Sequence, residues 1–444
     1  MIGLLCFAGI ARQVRRDSPA APPVREPAAQ SDQAPHDAHR NDFSDPQLTT
    51  DWPRLFGPTG DCRIGDVPIL TDWPGEFPPI LWRKSIGTGY SAPITSQNQV
   101  ILQHRINDAE MVECLELDSG QAVWSSQTPT SFKCEYPTYS SGPYSTPTTD
   151  GTDVYVQTTS GELRCLSVEN GDVRWVRHLA DEFQVPKLGY PPGHSPLIEG
   201  NLLILNLCGT ASDSGIVALD RMTGSTVWQT LNTGSSAKYG THSSPVAAEI
   251  HGLRLVFVLS AAELVCLRPQ TGDILWTIPV GTGSGDTPNS TTPLVCGDCV
   301  LVSVFRADTF CLRIRPDGSY DELWRNRRAL ESVFNPLTAM GSVVYGWHSF
   351  DRTLRCVDLH TGNVRWKQRT VFERGNQIAT SQHLILVGET GHLGIIHADA
   401  DQFRPLRISE TPLLDSPCYT SPAWTDGHLL IRNESELLCL DLSP

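Results

Sequence analysis

The stretch RCVDLHTGNVRW, residues 355–366, runs from alternating apolar residues through a turn at Thr361-Gly362 to a tryptophan. Residues 164–175, RCLSVENGDVRW, are identical to it at six of twelve positions and have the same order of apolar residues, glycine and tryptophan. Alternating apolar residues are typical of a half-buried strand, and a glycine supplies the positive φ that tight hairpins require. The stretch therefore predicts two strands of a β-hairpin that recurs along the chain.

The pattern of an apolar-Cys-apolar run, a glycine turn and a tryptophan recurs at intervals. Cysteine and tryptophan positions lie ten residues apart in five copies, with alanine replacing cysteine once: Cys114 to Trp124, Cys165 to Trp175, Ala218 to Trp228, Cys266 to Trp276 and Cys356 to Trp366. A sixth copy, Cys311 to Trp324, has three extra residues. A seventh has decayed, and we align its Ile395 and Pro405 with the usual cysteine and tryptophan.

An eighth copy is split between the two ends of the sequence. The final residues, LLCLDLSP, supply Cys439 but stop before the expected tryptophan. The missing half is found as PPILWRKSIG around Trp82, with no first half in front of it. Because residues 79–86 can pair with the C-terminal strands, we predict that both ends share one repeat and close a ring.

Each repeat also begins with an upstream signal, in most copies a Ser- or Thr-containing segment before a proline. The eight signals are YSAPIT (90–95), YSTPTT (144–149), GHSPLI (193–198), HSSPVA (242–247), STTPLV (290–295), FNPLTA (334–339), a degenerate NQIATS (376–381) and YTSPAW (419–424). Four short strands per repeat fit the spacing, and such units bury their faces by radial stacking. We therefore predict an all-β fold, an eight-bladed β-propeller of four-stranded antiparallel blades over residues 51–444, closed by N- and C-terminal strands in one blade.

Charge and composition limit the partners and the location. A net charge of -15 repels phosphate backbones, so nucleic acid is not expected as a partner. The N-terminal MIGLLCFAGIA is too short to span a bilayer and is either an export signal or an unstructured end. The Pro- and Ala-rich residues up to about 50 are expected to form a disordered tail. We expect a periplasmic or otherwise exported protein, with the cytoplasm as the alternative.

The cysteines give no clear metal or redox signal. Six occupy equivalent repeat positions and are expected to act as small core hydrophobes: Cys114, Cys165, Cys266, Cys311, Cys356 and Cys439. Cys296 and Cys299, in CGDC, allow either a local disulfide or two thiols. A single C-x-x-C is weak evidence for zinc.

Two polar clusters contain residue types that bind metal ions. His397, Asp399 and Asp401 fall in the decayed seventh turn, where polar residues are expected without any metal. Asp286 and Asn289 offer oxygen ligands for Ca²⁺ but have few carboxylates around them. We predict no metal site.

The LxCLDxxTGxxxW pattern with its upstream SSP resembles the PQQ-like β-propeller repeats of quinoprotein dehydrogenases and of the outer-membrane assembly propeller. The opening DWPRLFGPTGDC, residues 51–62, resembles bacterial PQQ-binding-like propeller proteins that begin WPxxRGPxxxG. The resemblance covers residues 51–444 and implies the propeller fold. It implies little about activity, because the repeat motif builds blades and carries no chemistry.

For the quinoprotein dehydrogenases, the resemblance implies PQQ over adjacent disulfide-bonded cysteines, Ca²⁺ held by Glu, Asn and Asp, and an Asp base. This sequence has no adjacent cysteines, and no such ligand triad can be matched. We predict a non-enzymatic, monomeric binding or scaffold module of the bacterial cell envelope, which takes a protein or polymer partner at its top face or rim and needs no cofactor. The alternative is a divergent quinoprotein dehydrogenase that uses PQQ with Ca²⁺ on alcohols or sugars.

In propellers of this family the innermost strand of each blade lines the central channel. The residues three before each proline are therefore predicted to ring the channel mouth: Tyr90, Tyr144, Gly193, His242, Ser290, Val333 and Tyr419. Tyr419, Tyr90 and Tyr144 would form one aromatic arc, continued by His194 and His242. Such an arc suits sugars, extended peptides or planar cofactors, and the alternative is a plug with hydrogen-bonded hydroxyls. The long connections 128–142 and 180–193 are candidates for a lid.

Overall fold

Eight four-stranded antiparallel sheets make up the described part of the chain, together with one short helix. The computed structural model describes residues 51–187, 189–231, 241–281 and 289–444. These belong to a compact unit that spans Ser44–Pro444. The predicted tail and the apolar N-terminus, residues 1–50, lie outside the described residues. No helix among the described residues is both long and apolar enough to cross a membrane.

The first strand, β1 (Ile80–Ser85), pairs with the C-terminal strands, so blade 1 begins with β2. Blades 1 to 4, each given from its innermost to its outermost strand, contain β2 (Ile94–Ser96), β3 (Gln99–Ile106), β4 (Ala109–Glu116) and β5 (Ala122–Pro129); β6 (Thr148–Thr149), β7 (Asp153–Gln157), β8 (Glu162–Ser167) and β9 (Val173–His178); β10 (Leu197–Glu199), β11 (Leu202–Asn206), β12 (Ile216–Asp220) and β13 (Thr226–Thr230); and β14 (Val246–Ile250), β15 (Leu253–Leu259), β16 (Glu263–Leu267) and β17 (Ile274–Pro279). Helix α1 (Leu179–Glu182) follows β9.

Blades 5 to 8 continue the same order. They contain β18 (Leu294–Cys296), β19 (Cys299–Ser303), β20 (Thr309–Ile314) and β21 (Tyr320–Arg325); β22 (Thr338–Met340), β23 (Val343–His348), β24 (Thr353–Asp358) and β25 (Val364–Arg369); β26 (Gly375–Ala379), β27 (His383–Gly388), β28 (Leu393–His397) and β29 (Arg404–Ile408); and β30 (Ala423–Thr425), β31 (His428–Arg432) and β32 (Glu436–Asp441), completed by β1.

Blade 8 closes the ring as predicted. Trp82 of β1 lies opposite Cys439 of β32, the same pairing that Cys356 and Trp366 make within one hairpin of blade 6. The inner strand β30 in turn contacts β2 of blade 1. The split eighth repeat is thus a single blade whose outermost strand comes from the other end of the propeller.

The tryptophan of each regular outermost strand joins its blade to the next one. Its indole N–H donates to a backbone carbonyl of the following blade, at 2.6 to 3.1 Å: Trp82 to Leu117, Trp124 to Val168, Trp175 to Arg221, Trp228 to Pro269, Trp276 to Gly318, Trp324 to Leu359 and Trp366 to Asp399. An indole N–H that is buried needs such a partner, so the bond fixes how the ring packs.

At five of these seven junctions, those of Trp82, Trp124, Trp175, Trp228 and Trp324, the turn glycine of the next blade lies under the indole. A Cβ at Gly362 would lie 2.5 Å from the ring of Trp324, and one at Gly171 would lie 2.5 Å from the ring of Trp124. Both glycines also have φ near +70°, where a side chain costs energy. The Thr-Gly turn of the repeat therefore shapes a hairpin and makes room for the neighbouring blade.

The junction from blade 7 to blade 8 is built differently, and our alignment of Pro405 with the usual tryptophan is wrong. Ile395 pairs with Arg407, and Pro405 pairs with Ile396, because the connection is two residues longer than in the regular blades. The N-terminal segment fills the seam: the Arg407 guanidinium lies 4.8 Å from the ring centroid of Trp73. The N–H of Leu70 donates to the carbonyl of Leu442 at 2.7 Å, in place of an indole.

The cysteines are core residues, as predicted. The six repeat cysteines are at most 1% exposed, and the cysteines of the described ranges are all free thiols. Cys296 and Cys299 lie opposite each other across the turn between β18 and β19, and both are thiols in the structure. The sequence allowed either a local disulfide or two thiols at this pair, and the structure has the two thiols.

The indole contact can be measured with a matched pair of substitutions. Gly362→Ala places a methyl group against Trp324, whereas Gly341→Ala, in a turn of the same blade with φ +59°, meets nothing within 4 Å. Both carry the backbone cost of about 1 kcal/mol, and overpacking adds about 1–3 kcal/mol to Gly362→Ala alone. Urea unfolding should show this difference; equal losses of stability would contradict the packing described.

Ring closure predicts that β1 is essential. Deleting residues 78–87 removes the outermost strand of blade 8 and the Trp82 contact with blade 1, so we expect a large drop in the midpoint of thermal unfolding. Arg83→Ala is the control, because it removes only the exposed ion pair with Glu436, worth at most about 1 kcal/mol. Unchanged unfolding of the deletion variant would show that the ring closes elsewhere.

Candidate functional site

One cavity of about 190 Å³ collects the residues predicted to ring the channel mouth. All seven of them line it: Tyr90, Tyr144, Gly193, His242, Ser290, Val333 and Tyr419. Each of the seven lies four or five residues before an inner strand, so the cavity lies at the end of the channel where these strands start. We call this end the top face and the cavity the cup.

Aromatic rings form a continuous arc around the cup. The ring centroids of Tyr90 and Tyr144 are 4.7 Å apart, and those of Tyr90 and Tyr419 are 5.4 Å apart. Tyr144 meets His242 edge-on at 5.6 Å, and Phe334 meets Tyr419 at 5.2 Å. These distances are those of favourable aromatic pairs, so the rings support one another.

The hydroxyls of two arc tyrosines are already used by the protein. The backbone N–H of Ser140 donates to the hydroxyl of Tyr90, and the hydroxyl of Tyr144 donates to the carbonyl of Ser140, both at 3.1 Å. Burial raises the pKa of both tyrosines, so they stay protonated. The hydroxyls are thus hydrogen-bonded within the protein, as expected if the tyrosines only plug the end of the channel. The rings of both tyrosines nevertheless line a cavity.

The opening motif of the sequence makes the floor of the cup. Leu55 and Phe56, from WPRLFGP, line the cup from below. The segment is anchored at Trp52, whose backbone N–H donates to the Thr95 hydroxyl at 2.7 Å. Thr95 lies in β2, next to the turn at the end of the blade opposite the top face. Leu55 and Phe56 therefore separate the cup from a smaller cavity that is lined by residues of the inner strands.

Arg374 brings a positive charge to one wall of the cup. Its guanidinium lies 5.5 Å from the ring centroid of Phe334 and 5.8 Å from that of Tyr419. It is paired with the carboxylate of Glu389 at 2.7 Å, and burial raises the pKa of that carboxyl. The pair offsets its own charge, so this wall is polar without a strong net field.

The two histidines of the predicted site are separated. His242 lines the cup, and burial lowers its pKa to about 4, so its ring is neutral near pH 7. His194 does not line the cup, contrary to its predicted place in the arc, and instead faces a second cavity. The reason is that adjacent residues of an extended chain point to opposite sides, so Gly193 faces the cup and His194 faces away.

The two long connections meet over the cup. The N–H of Glu135 donates to the carbonyl of Gly189 at 3.0 Å, and the rings of Tyr136 and Tyr190 stack at 4.6 Å. Tyr139 and Tyr190, one from each connection, line the cup. The connections therefore touch each other and the site, and their movement as a lid stays a prediction.

Several lining residues were missed by the sequence reasoning: Leu55, Phe56, Tyr139, Tyr190, Phe334 and Arg374. Tyr139 and Tyr190 lie within the two connections that were singled out as a lid, so their aromatic character was available as a signal. The role of Leu55 and Phe56 could not be predicted from the sequence, because a repeat pattern does not indicate that the segment before the first blade enters the channel.

The residues of the cup do not fit PQQ with Ca²⁺. Among its described lining residues there is no Asp, Glu or Asn, whereas Ca²⁺ takes oxygen ligands that usually include carboxylates. The described residues also contain no group of three His, Cys, Asp or Glu that could hold a metal ion. The quinoprotein alternative therefore finds no support in this site, and the expectation that no cofactor is needed stays a prediction.

The two clusters weighed from the sequence have other roles. A carboxylate oxygen of Asp399 accepts the backbone N–H groups of Asp401 and Gln402, as a turn residue does. The amide of Asn289 donates to the carbonyls of Ser260 and Ala261. Asp286 lies outside the described residues.

Comparison with known proteins agrees with this architecture. Residues 79–185 and 108–368 match the protein family described as outer membrane protein assembly factor BamB. The chain belongs to this family of PQQ-like propellers. No curated protein matches the chain significantly.

Solved structures share the fold at low identity. BamB from Moraxella catarrhalis is 18% identical, with a TM-score of 0.60 over 81% of this chain and 98% of that one. A europium-containing methanol dehydrogenase is 12% identical, with a TM-score of 0.64 over 86% of this chain and 89% of that one. A quinohemoprotein alcohol dehydrogenase from Comamonas testosteroni is 12% identical, with a TM-score of 0.62 over 89% and 81%. Such likeness shows the fold alone.

The buried His194 predicts a pH dependence of stability. Burial lowers its pKa to about 3, whereas the unfolded chain takes up this proton near pH 6.5. Its contribution is full above about pH 6.5 and is lost as the pH falls toward 3, by about 1.4 kcal/mol per pH unit. The free energy of unfolding of His194→Asn should therefore fall less between pH 7 and pH 4.5 than that of the wild type. Parallel pH profiles would contradict the burial described.

Proposed function

We propose that this propeller is a non-catalytic binding module of the cell envelope that docks a protein partner on its top face. A single apolar or aromatic side chain of the partner would enter the cup. The observation that carries the proposal is the cup itself, an aromatic cavity closed below by Leu55 and Phe56 and bordered by the ion pair of Arg374 and Glu389.

The size of the cup favours a side chain over a free small molecule. Its volume of about 190 Å³ is below the roughly 300–1,000 Å³ of typical small-molecule sites. The ring faces of Tyr90 and Tyr144 offer apolar contact, since their hydroxyls are bonded to Ser140. Central aromatic pockets that bury one anchor side chain are common at the energetic centre of protein interfaces.

Exposed apolar groups elsewhere on the top face also suit a protein partner. Exposed apolar side chains lie in top-face turns and connections: Ile106, Tyr139, Phe350 and Val371, which are 42 to 79% exposed. Phe350, at the tip of the turn between β23 and β24, is the most exposed of them. Aromatic and aliphatic groups outside the core of a monomer often mark an interaction surface, especially around a concave centre.

The family membership supports the same class of function and the location. The family is described by an outer-membrane assembly factor, which is by name a protein that works with other proteins at a bacterial envelope. We carry over only this general role. Fractionation of cells that express the full chain tests the location, and recovery in the cytoplasm alone would contradict it.

Paired substitutions in the arc test the docking proposal. Tyr90→Phe with Tyr144→Phe keeps both rings, whereas Tyr90→Ala with Tyr144→Ala removes them. If ring faces hold the partner, envelope proteins captured by the wild type should be retained by the double Phe variant and lost by the double Ala variant, by about tenfold or more. Circular dichroism and thermal unfolding would confirm that both variants keep the fold. Equal capture by both would show that the arc is only a plug.

A further inference from the structure

A second, larger cavity lies beside the cup on the top face. Its volume is about 530 Å³, within the range of small-molecule sites. It is built by residues 129–135, by the turn 157–161, by α1 and the connection that follows it, and by Leu207 and Thr241. We call it the side cavity. Tyr190 lines both cavities and is their shared wall.

Two buried polar groups of the side cavity have no partner. Gln157 is 2% exposed and His194 is 3% exposed, and both line the cavity. Neither the Oε1 atom of Gln157 nor the Nε2 atom of His194 has a hydrogen-bond partner in the part of the chain that the structure describes. A buried polar group is costly when it is left unpaired, so a ligand that pairs with these two groups would recover that energy.

Hydroxyl groups line the same wall and are held in place. The hydroxyls of Thr130 and Thr159 lie 2.9 Å apart, and both residues line the cavity. Thr159 is fixed by buried Glu110, whose carboxylate accepts from both the N–H and the hydroxyl of Thr159. Because the hydroxyl of Thr159 donates to Glu110 and that of Thr130 donates to Thr159, their remaining lone pairs can accept hydrogen bonds from a ligand hydroxyl.

Aromatic and charged groups complete the lining. Phe132 and Tyr190 supply apolar surface, and Tyr190 is supported by its stack on Tyr136. The charged lining residues are balanced, with Lys133 and Lys187 against Glu135 and Asp181. His194 adds no charge near neutral pH, because burial lowers its pKa to about 3. The cavity therefore favours a ligand without net charge.

We propose that the side cavity binds a neutral, hydroxyl-rich ligand, namely an oligosaccharide of two or three sugar units. A hydroxyl both donates and accepts, so it can pair with His194 in either tautomer and with Gln157 in either amide orientation. The C–H faces of sugar rings are apolar and pack on aromatic rings such as Phe132. This site is separate from the docking of a protein in the cup, and neither proposal depends on the other.

The test uses ligand-observed NMR and calorimetry on the full chain. The neutral probes are cellobiose, maltotriose and the disaccharide of N-acetylglucosamine, and sialyllactose is the anionic comparator. We expect saturable binding of at least one neutral probe. Gln157→Leu and Phe132→Ala should each weaken it about tenfold or more, which is about 1.4 kcal/mol, since each removes a ligand contact. Tyr419→Ala, which changes the cup alone, should leave it unchanged.

Three results would overturn the proposal. One is that no neutral probe binds saturably at concentrations up to about 10 mM, which would mean that the dissociation constant is weaker than millimolar. Another is binding that Gln157→Leu and Phe132→Ala both leave intact. The third is a preference for sialyllactose over the neutral probes. If Gln157→Leu does not fold, Phe132→Ala decides alone, because Phe132 lies in a connection outside the strands.

Discussion

The contact between a tryptophan indole and the glycine turn of the next blade is the interaction on which the propeller depends. It needs a hydrogen bond from the indole N–H, a carbonyl to accept it and a glycine that leaves room for the ring, as for Trp324, Leu359 and Gly362. A four-stranded sheet cannot bury both faces alone, so each blade is stable only with its neighbours. The Thr-Gly and Trp positions therefore recur in the sequence because they form the contacts between neighbouring blades.

The junction from blade 7 to blade 8, which has no tryptophan, shows how this constraint can be met in another way. Blade 7 has Arg407 where the tryptophan belongs, and the segment before β1 compensates with Trp73 and with the Leu70 N–H. The same segment earlier supplies Leu55 and Phe56 to the floor of the cup. One stretch of irregular chain thus completes the ring and lines the cup, which links the stability of the fold to the shape of the site.

The sequence allowed most of the fold to be predicted, because repeats report on contacts that recur in every blade. The split blade, its Trp82–Cys439 pairing and the seven channel-mouth positions all followed from register. The missed features are those that occur once. The shifted pairing of Arg407, the entry of Phe56 into the channel and the outward direction of His194 depend on local chain paths that no other repeat reproduces.

Site-specific photo-crosslinking tests the central claim, that the cup is where a protein partner docks. Tyr419→p-benzoylphenylalanine places a crosslinker on the cup, and Glu169→p-benzoylphenylalanine places one on an exposed turn at the opposite end of blade 2. In cells, we expect a discrete protein adduct from position 419 and none from position 169. Adducts from position 169 alone, or equal adducts from both, would contradict it.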